Sequence, residues 1–323
     1  MAPLGIGLIG LGRHGMRYVR HLQEIPQAAR LAAVCRRDAG EGRAVAARHG
    51  VKFFQDYEEL IACPDVDAVV VVTPPSFSRP ICLAAVRAGK PLLIEKPLAC
   101  TGADARAMVR AAETAGVPLM TAHTLRFDRA VLALKSQLAS AGTRRYLALT
   151  NRIEPRPDVL RDPKDYGGRG ALLEIGIHQL DLVRFLTGEE VAEVRCETDC
   201  LSPQGAELRA LVSLRTTGGL PCFLDVSRVA GGRVGRAEWI GADGQLSADW
   251  YGHSVRRISA GNVVTDEKTE DVPTVEAVLR AFCEALARGG ALPVTGVDGL
   301  RAVEIADACY ESAESGRSVR LVR

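Results

Sequence analysis

No stretch of apolar residues in this chain reaches the 18 or more that a bilayer-crossing helix needs, and no basic segment precedes the apolar run that begins at Leu4. Membrane insertion and secretion are therefore not expected, and a cytoplasmic protein is. No run of five or more like charges occurs, and the formal net charge is only +2. That balance excludes the basic footprint of a nucleic-acid binder and the polybasic patch of a membrane-surface protein, which leaves small molecules as the expected partners. The nine cysteines form no C-x-x-C pair, and Cys196 and Cys200 lack a matching pair of histidines, so no metal site is expected and the thiols read as reduced and structural. Internal repeats, low-complexity tracts and long linkers are also missing. Lysine is sparse beside arginine, which singles out Lys96.

What is present is a chain of 323 residues, 47% hydrophobic and 25% charged, longer than one typical domain of roughly 100–200 residues. Residues 1–124 alternate short apolar runs at 4–9, 31–35, 68–72, 92–94 and 119–120 with helix-compatible segments at 16–23, 42–49, 81–88 and 103–115. Thr101 stands where it can cap the last of these helices. Runs without polar alternation are strands buried on both faces, which implies a parallel sheet covered by helices on either side. Residues 125–323 follow another rule. Candidate strands at 146–153, 194–200, 208–215, 221–227, 237–240 and 254–258 succeed one another through turns such as Ala242-Asp243-Gly244. Helices at 275–287 and 298–315 close the chain. The expected class is α/β: a doubly wound Rossmann domain over 1–124, then an α+β domain with a mostly antiparallel open sheet over 125–323.

Gly10-Leu11-Gly12-Arg13-His14-Gly15 follows a buried strand and opens a helix. In that setting the first glycine permits a tight turn, the second lets backbone approach a pyrophosphate, and the third lets helix and strand pack closely. An acidic residue is expected about twenty positions on, to hold a ribose 2′-hydroxyl, but Arg36 and Arg37 stand there. Guanidinium groups suit a 2′-phosphate, so NADP(H) is favoured over NAD(H), with Asp38 as an alternative acceptor if the strand ends two residues later. Thr73-Pro74-Pro75, Glu95-Lys96-Pro97 and Ala122-His123-Thr124 end three further strands of the same sheet. Parallel strands put their carboxyl ends on one edge, so Thr73, Pro74, Glu95, Lys96 and His123 are expected to face the crevice that holds the dinucleotide.

Lys96 directly follows a buried run, an unusual place for a solvated amine, and from there it can stabilise alkoxide character on a carbinol or carbonyl oxygen. The following proline is a candidate cis residue. Further on, helical spacing stacks Glu174, His178 and Asp181 on one face of an otherwise apolar helix that also contains Gly176. Histidine suits proton exchange with a hydroxyl, a carboxylate one turn away can orient it, and an internal glycine suggests that something approaches the backbone closely.

These segments, together with the ending around Pro293-Val294-Thr295-Gly296 and Ser315-Gly316-Arg317, resemble the Gfo/Idh/MocA oxidoreductases, the group of glucose-fructose oxidoreductase and inositol dehydrogenase, over nearly the whole chain. The resemblance implies a Rossmann domain followed by a mixed-sheet domain, a site between them, and homodimers or homotetramers packed through the sheet face. It implies hydride transfer between a nicotinamide and a carbinol or keto carbon of a sugar, keto-sugar or cyclic polyol. The family's catalytic Lys falls on Lys96, its His on His178, and its Asp on Glu174, one methylene longer. Arg126, in a segment similar to the family's turn into the second domain, and Tyr166 are the further expected substrate contacts. The family's Thr-Pro-Asn-x-x-His pattern is here Thr73-Pro74-Pro75-Ser76-Phe77-Ser78, so contacts from that Asn and His are not expected. Two other readings stay open on the same resemblance: an NAD-dependent redox-assisted glycoside hydrolase, and a non-catalytic dinucleotide-sensing regulator.

Overall fold

The computed structural model describes residues 2–155 and 163–321. They divide into two compact units, Met1–His123 with Pro273–Leu300, and Thr124–Val272 with Arg301–Arg323. The segment Pro273–Leu300, expected with the second domain, thus belongs to the first unit. No described helix is long and apolar enough to cross a membrane.

The first unit is built on six parallel strands, β1 (Leu4–Ile9), β2 (Ala29–Cys35), β3 (Lys52–Phe54), β4 (Ala68–Val71), β5 (Leu92–Glu95) and β6 (Leu119–Ala122), in the order β3-β2-β1-β4-β5-β6. The order reverses at β1, and the crevice beside such a switch point is where open parallel sheets bind ligands. Ile6, Leu8, Val69, Val70, Leu92 and Leu93 are wholly buried, the double-sided burial that their unbroken apolar runs require. Helices α1 (Gly15–Glu24), α2 (Ala39–His49), α3 (Tyr57–Ala62), α4 (Ser78–Arg87) and α5 (Gly102–Ala115) connect the strands. Three of them begin on side chains that accept from first-turn amides: Asp38 for α2, Asp56 for α3 and Thr101 for α5.

The second unit contains α6 (Arg129–Gln137), β7 (Arg144–Arg152), α7 (Ile177–Thr187), β8 (Val191–Leu201), β9 (Glu207–Thr216), β10 (Pro221–Ser227), β11 (Val234–Gly241), β12 (Gly244–Asp249), β13 (Ser254–Ser259) and β14 (Val264–Lys268). The chain closes with α8 (Thr274–Arg288), which packs against α1 in the first unit, then α9 (Gly296–Ser315) and β15 (Val319–Arg320). The second sheet runs β14-β13-β12-β11-β7-β10-β9-β8-β15, antiparallel throughout except where β7 lies parallel to β10. Along β9 buried and exposed residues alternate strictly from Ala210 to Thr216, the signature of a sheet with one covered and one open face. Sequence reading omitted β3, α3, α6, β12, β14 and β15, most of them short and, in β14, exposed at every position.

Candidate functional site

In the first unit a cleft of about 720 Å³ opens where β1, β2 and β4 end. Gly10, Leu11 and Gly12 form its floor, Arg36, Arg37 and Asp38 one side, Thr73 and Pro74 another, and Phe77, Pro80 and Ile81 an apolar wall. The three loop glycines are glycines for different reasons. Gly10 has φ 101°, and a Cβ there would stand 2.4 Å from the Val72 carbonyl oxygen. A Cβ at Gly15 would stand 1.9 Å from the Gly10 carbonyl oxygen. At Gly12 a Cβ would meet nothing within 4 Å, so the protein itself does not demand glycine there, and the loop is open to a group lying against it. The Thr73 hydroxyl, buried on the same cleft, has no hydrogen-bond partner, and a buried hydroxyl ordinarily finds one. Both observations fit a dinucleotide whose phosphates rest on the loop at the start of α1.

The arginines after β2 are not idle. Arg36 donates Nη1 to the Leu11 carbonyl at 2.7 Å and makes a second contact, through Nη2, with the Glu41 carboxylate. The Arg37 guanidinium lies 5.1 Å from the centre of the Phe77 ring. Asp38, the alternative acceptor, receives the Glu41 N–H as the cap of α2.

Behind the cleft, Glu95 is buried at the end of β5, and the bond between Lys96 and Pro97 is cis. The Tyr18 hydroxyl donates to Glu95 Oε1 at 2.6 Å, His14 Nε2 shares that oxygen at 2.7 Å, and the Lys96 N–H reaches Oε2 at 3.1 Å. Burial alone pushes this carboxyl up, but His14, the charge of Lys96 and the Tyr18 hydroxyl outweigh it and hold it at about 2. Glu95, expected on the cofactor, therefore anchors the residues around it, and Tyr18 is a partner that sequence reading missed. Arg13, His14, Gly15, Glu95, Lys96 and His123 do not line the 720 Å³ cleft; His123, just beyond β6, is buried.

In the second unit the segment expected as one α-helix begins with a π-helical turn, Leu172–Gly176, before α7. Its first amides are fixed by a buried carboxylate: Glu207 Oε2 accepts from Gly170 N at 2.7 Å, and Oε1 accepts from Leu172 N at 2.9 Å and the Tyr310 hydroxyl at 2.8 Å. Burial pushes the Glu207 carboxyl up in spite of these bonds. Gly176 answers the expectation of a close approach: a Cβ there would stand 3.0 Å from Val226 Cγ2 of β10.

The acids on this helix have arginine partners. Glu174, expected to orient His178, receives both Nε and Nη2 of Arg228, and both residues are buried. Asp181 receives Arg126 Nε at 2.8 Å and Nη2 at 2.6 Å. Arg126, expected to meet substrate, is committed to that carboxylate with 10% of its side chain exposed. His178 lies half-buried on the first turn of α7, and Tyr166 half-buried in a short helix, Pro163–Tyr166. Nothing in the sequence pattern pointed to Arg228 or Glu207, which lie in distant strand segments.

Among the described residues, His21, Glu24 and Glu276 form a group that could hold a metal ion. Its donors are already in use: His21 Nδ1 and Glu24 share a hydrogen bond of 2.5 Å, Arg20 pairs with Glu24, and Arg280 pairs with Glu276.

Residues 4–123 match the model of an oxidoreductase family described as an NAD-binding Rossmann fold, and residues 142–247 match a GFO/IDH/MocA C-terminal domain. The chain is similar to inositol 2-dehydrogenase 1 of Saccharopolyspora erythraea, 31% identical over 98% of this chain and 96% of that one. It is likewise similar to 1,5-anhydro-D-fructose reductase of Ensifer adhaerens, 31% identical over 88% of each. Among solved structures, aldose-aldose oxidoreductase from Caulobacter crescentus, in complex with glycerol, superposes with a TM-score of 0.88 at 27% identity, covering 99% of this chain and 100% of that one.

Proposed function

The chain belongs to the Gfo/Idh/MocA oxidoreductase family, and from that premise we propose that it oxidises or reduces a carbinol or keto carbon of a sugar or cyclic polyol with a nicotinamide dinucleotide. The observation that carries this reading is the carboxyl edge of the parallel sheet, where the glycine loop, the Thr73 hydroxyl and Lys96 emerge from β1, β4 and β5. Gly10, Gly12, Gly15 and Thr73 hold the dinucleotide, whose bound nicotinamide takes up or supplies the hydride.

Lys96 donates to the reacting oxygen and stabilises its alkoxide character. The Glu95 carboxylate, ionised throughout the neutral range, accepts the Lys96 N–H and so fixes the backbone from which that amine projects. His178 exchanges the proton of the hydroxyl. Glu174 acts together with Arg228: a buried ion pair that fixes the turn before His178, so the extra methylene of Glu174 is taken up against a guanidinium. Tyr166 is the proposed substrate contact on this unit, and Arg126 supports α7 through Asp181.

NADP(H) is the favoured dinucleotide. In support, Arg36 and Arg37 line the cleft at the end of β2, and Asp38 and Asp56 beside them each give one carboxylate oxygen to a helix amide. Homodimers or homotetramers form through the open face of the second sheet, which exposes Tyr146, Leu211 and Phe223.

The test is a fluorescence titration with NADPH and NADH, then a panel of sugars, keto-sugars and cyclic polyols followed at the nicotinamide absorbance. Lys96→Met and His178→Asn are each expected to lower kcat about 10²- to 10⁴-fold. The double variant is expected to lose far less than the product of the two, because groups that act as a unit are non-additive. Multiplicative losses, or turnover untouched by either change, would remove the assignment.

A further inference from the structure

Resting on the reading that the cleft takes a dinucleotide, we infer that Glu41 is a specificity-determining residue: its carboxylate occupies the guanidinium edge of Arg36 that an adenosine 2′-phosphate needs, and so tempers the preference for the phosphorylated cofactor.

The arrangement begins with local sequence. Asp38 and Glu41 stand three apart at the start of α2, the spacing of a reciprocal cap, in which the first side chain takes the third amide and the later acid reaches back to the first backbone N–H. Only half of that exchange occurs. Asp38 Oδ1 accepts the Glu41 N–H at 2.9 Å, while the Glu41 carboxylate turns to Arg36 Nη2. The cap fixes the backbone of the first turn, and the acid is left to serve the arginine.

Arg36 is equally constrained. Its backbone N–H donates to the Phe54 carbonyl at 3.3 Å and its Nη1 to the Leu11 carbonyl at 2.7 Å, so the guanidinium is docked on the glycine loop with Nη2 pointing to the acid. Arg37, its neighbour, lies against Phe77 and offers Glu41 no competition. A phosphate and a carboxylate seek the same planar edge of a guanidinium, and the fork docked on Leu11 leaves room for one of them. With an unphosphorylated ribose the pair stays closed and Arg36 keeps a counter-charge. With a 2′-phosphate, Glu41 must leave and the two anions then repel each other. Because Glu41 is 63% exposed and Arg36 28%, the pair is a solvent-screened one whose opening costs little. The chain therefore accepts both dinucleotides, with a bias toward the phosphorylated form smaller than two adjacent arginines alone would give.

The variant is Glu41→Gln, which keeps the backbone N–H that Asp38 receives. NADPH and NADH are titrated by nicotinamide fluorescence, and adenosine 2′,5′-bisphosphate and AMP by calorimetry as probes of the adenosine end alone. Expected are an NADPH and bisphosphate affinity increased about three- to tenfold, with NADH and AMP changing less than about twofold. The gain should vanish in Glu41→Gln combined with Arg36→Met. An unchanged NADPH-to-NADH ratio, or equal gains for both, overturns the inference while leaving the dinucleotide reading standing. Binding of neither dinucleotide to the wild-type chain overturns both. Glu41→Ala repeats the comparison and must agree in direction.

Discussion

Replacing Glu95 with glutamine removes a buried charge without changing the shape of the side chain, and the cost can be worked from the site. An ordinary glutamate titrates at 4.5 and Glu95 at about 2. Each pH unit of separation corresponds to about 1.4 kcal/mol, so ionised Glu95 stabilises the fold by about 3 kcal/mol. Because the folded value lies below the unfolded one, this contribution is fully present above about pH 4.5 and disappears as pH falls through about 2. Glu95→Gln can still accept from Tyr18 but offers no charge to His14 or Lys96. Urea unfolding at a series of pH values measures the difference between wild type and variant. It should be about 3 kcal/mol near pH 6 and shrink steadily on acidification. A difference that stays flat between about pH 6 and pH 3 would mean that the carboxylate is not held by these cations, and the account of the edge behind the cleft would fail.

Gly12→Ala should leave the unfolding free energy within about 1 kcal/mol of wild type yet abolish dinucleotide binding, whereas Gly15→Ala should fail on stability, since its Cβ would lie 1.9 Å from a carbonyl oxygen. Equal stability of the two variants in a thermal melt would contradict the separate reasons given for these glycines. Arg228→Met takes the guanidinium away from the buried Glu174 carboxylate and should cost about 3–5 kcal/mol, most of it recovered in Arg228→Met with Glu174→Leu; a double variant no more stable than the single one refutes the pairing. Cys35, Cys82, Cys222 and Cys283, whose thiols burial pushes up to about 12, should resist iodoacetamide at about pH 8 until the chain unfolds, as peptide mass mapping would show.

The doubly wound sheet was legible because its strands are short apolar runs: 4–9 coincides with β1, and 68–72 and 92–94 fall on β4 and β5. Strands whose burial is borrowed from neighbours were not. β12 buries only Leu246 and Ala248, and β14 buries nothing, so their pairing is a property of the sheet and not of the segment. At the site, the glycine loop carries its own explanation in its spacing. Partners of buried charges carry none. Arg228 is 54 positions from Glu174, Glu207 is 37 from Gly170, and Tyr18 is 77 from Glu95, so only folding reveals them. Arg126 is the converse case. The sequence expects it on a substrate, and its pairing with Asp181, 55 positions on, is visible only in the fold.

The turn at Leu172–Gly176 holds one residue more than an α-helical turn of similar height. An α-helix advances about 100° per residue, so everything after Gly176 is rotated about a quarter-circle from where an uninterrupted spiral would have aimed it. Regular α-helical winding of the same residues would swing the His178 ring to another bearing, whereas loss of one residue from this turn would restore a regular turn and leave His178 near its present height and heading. The compass heading of that imidazole is thus written in a local miscount of the backbone.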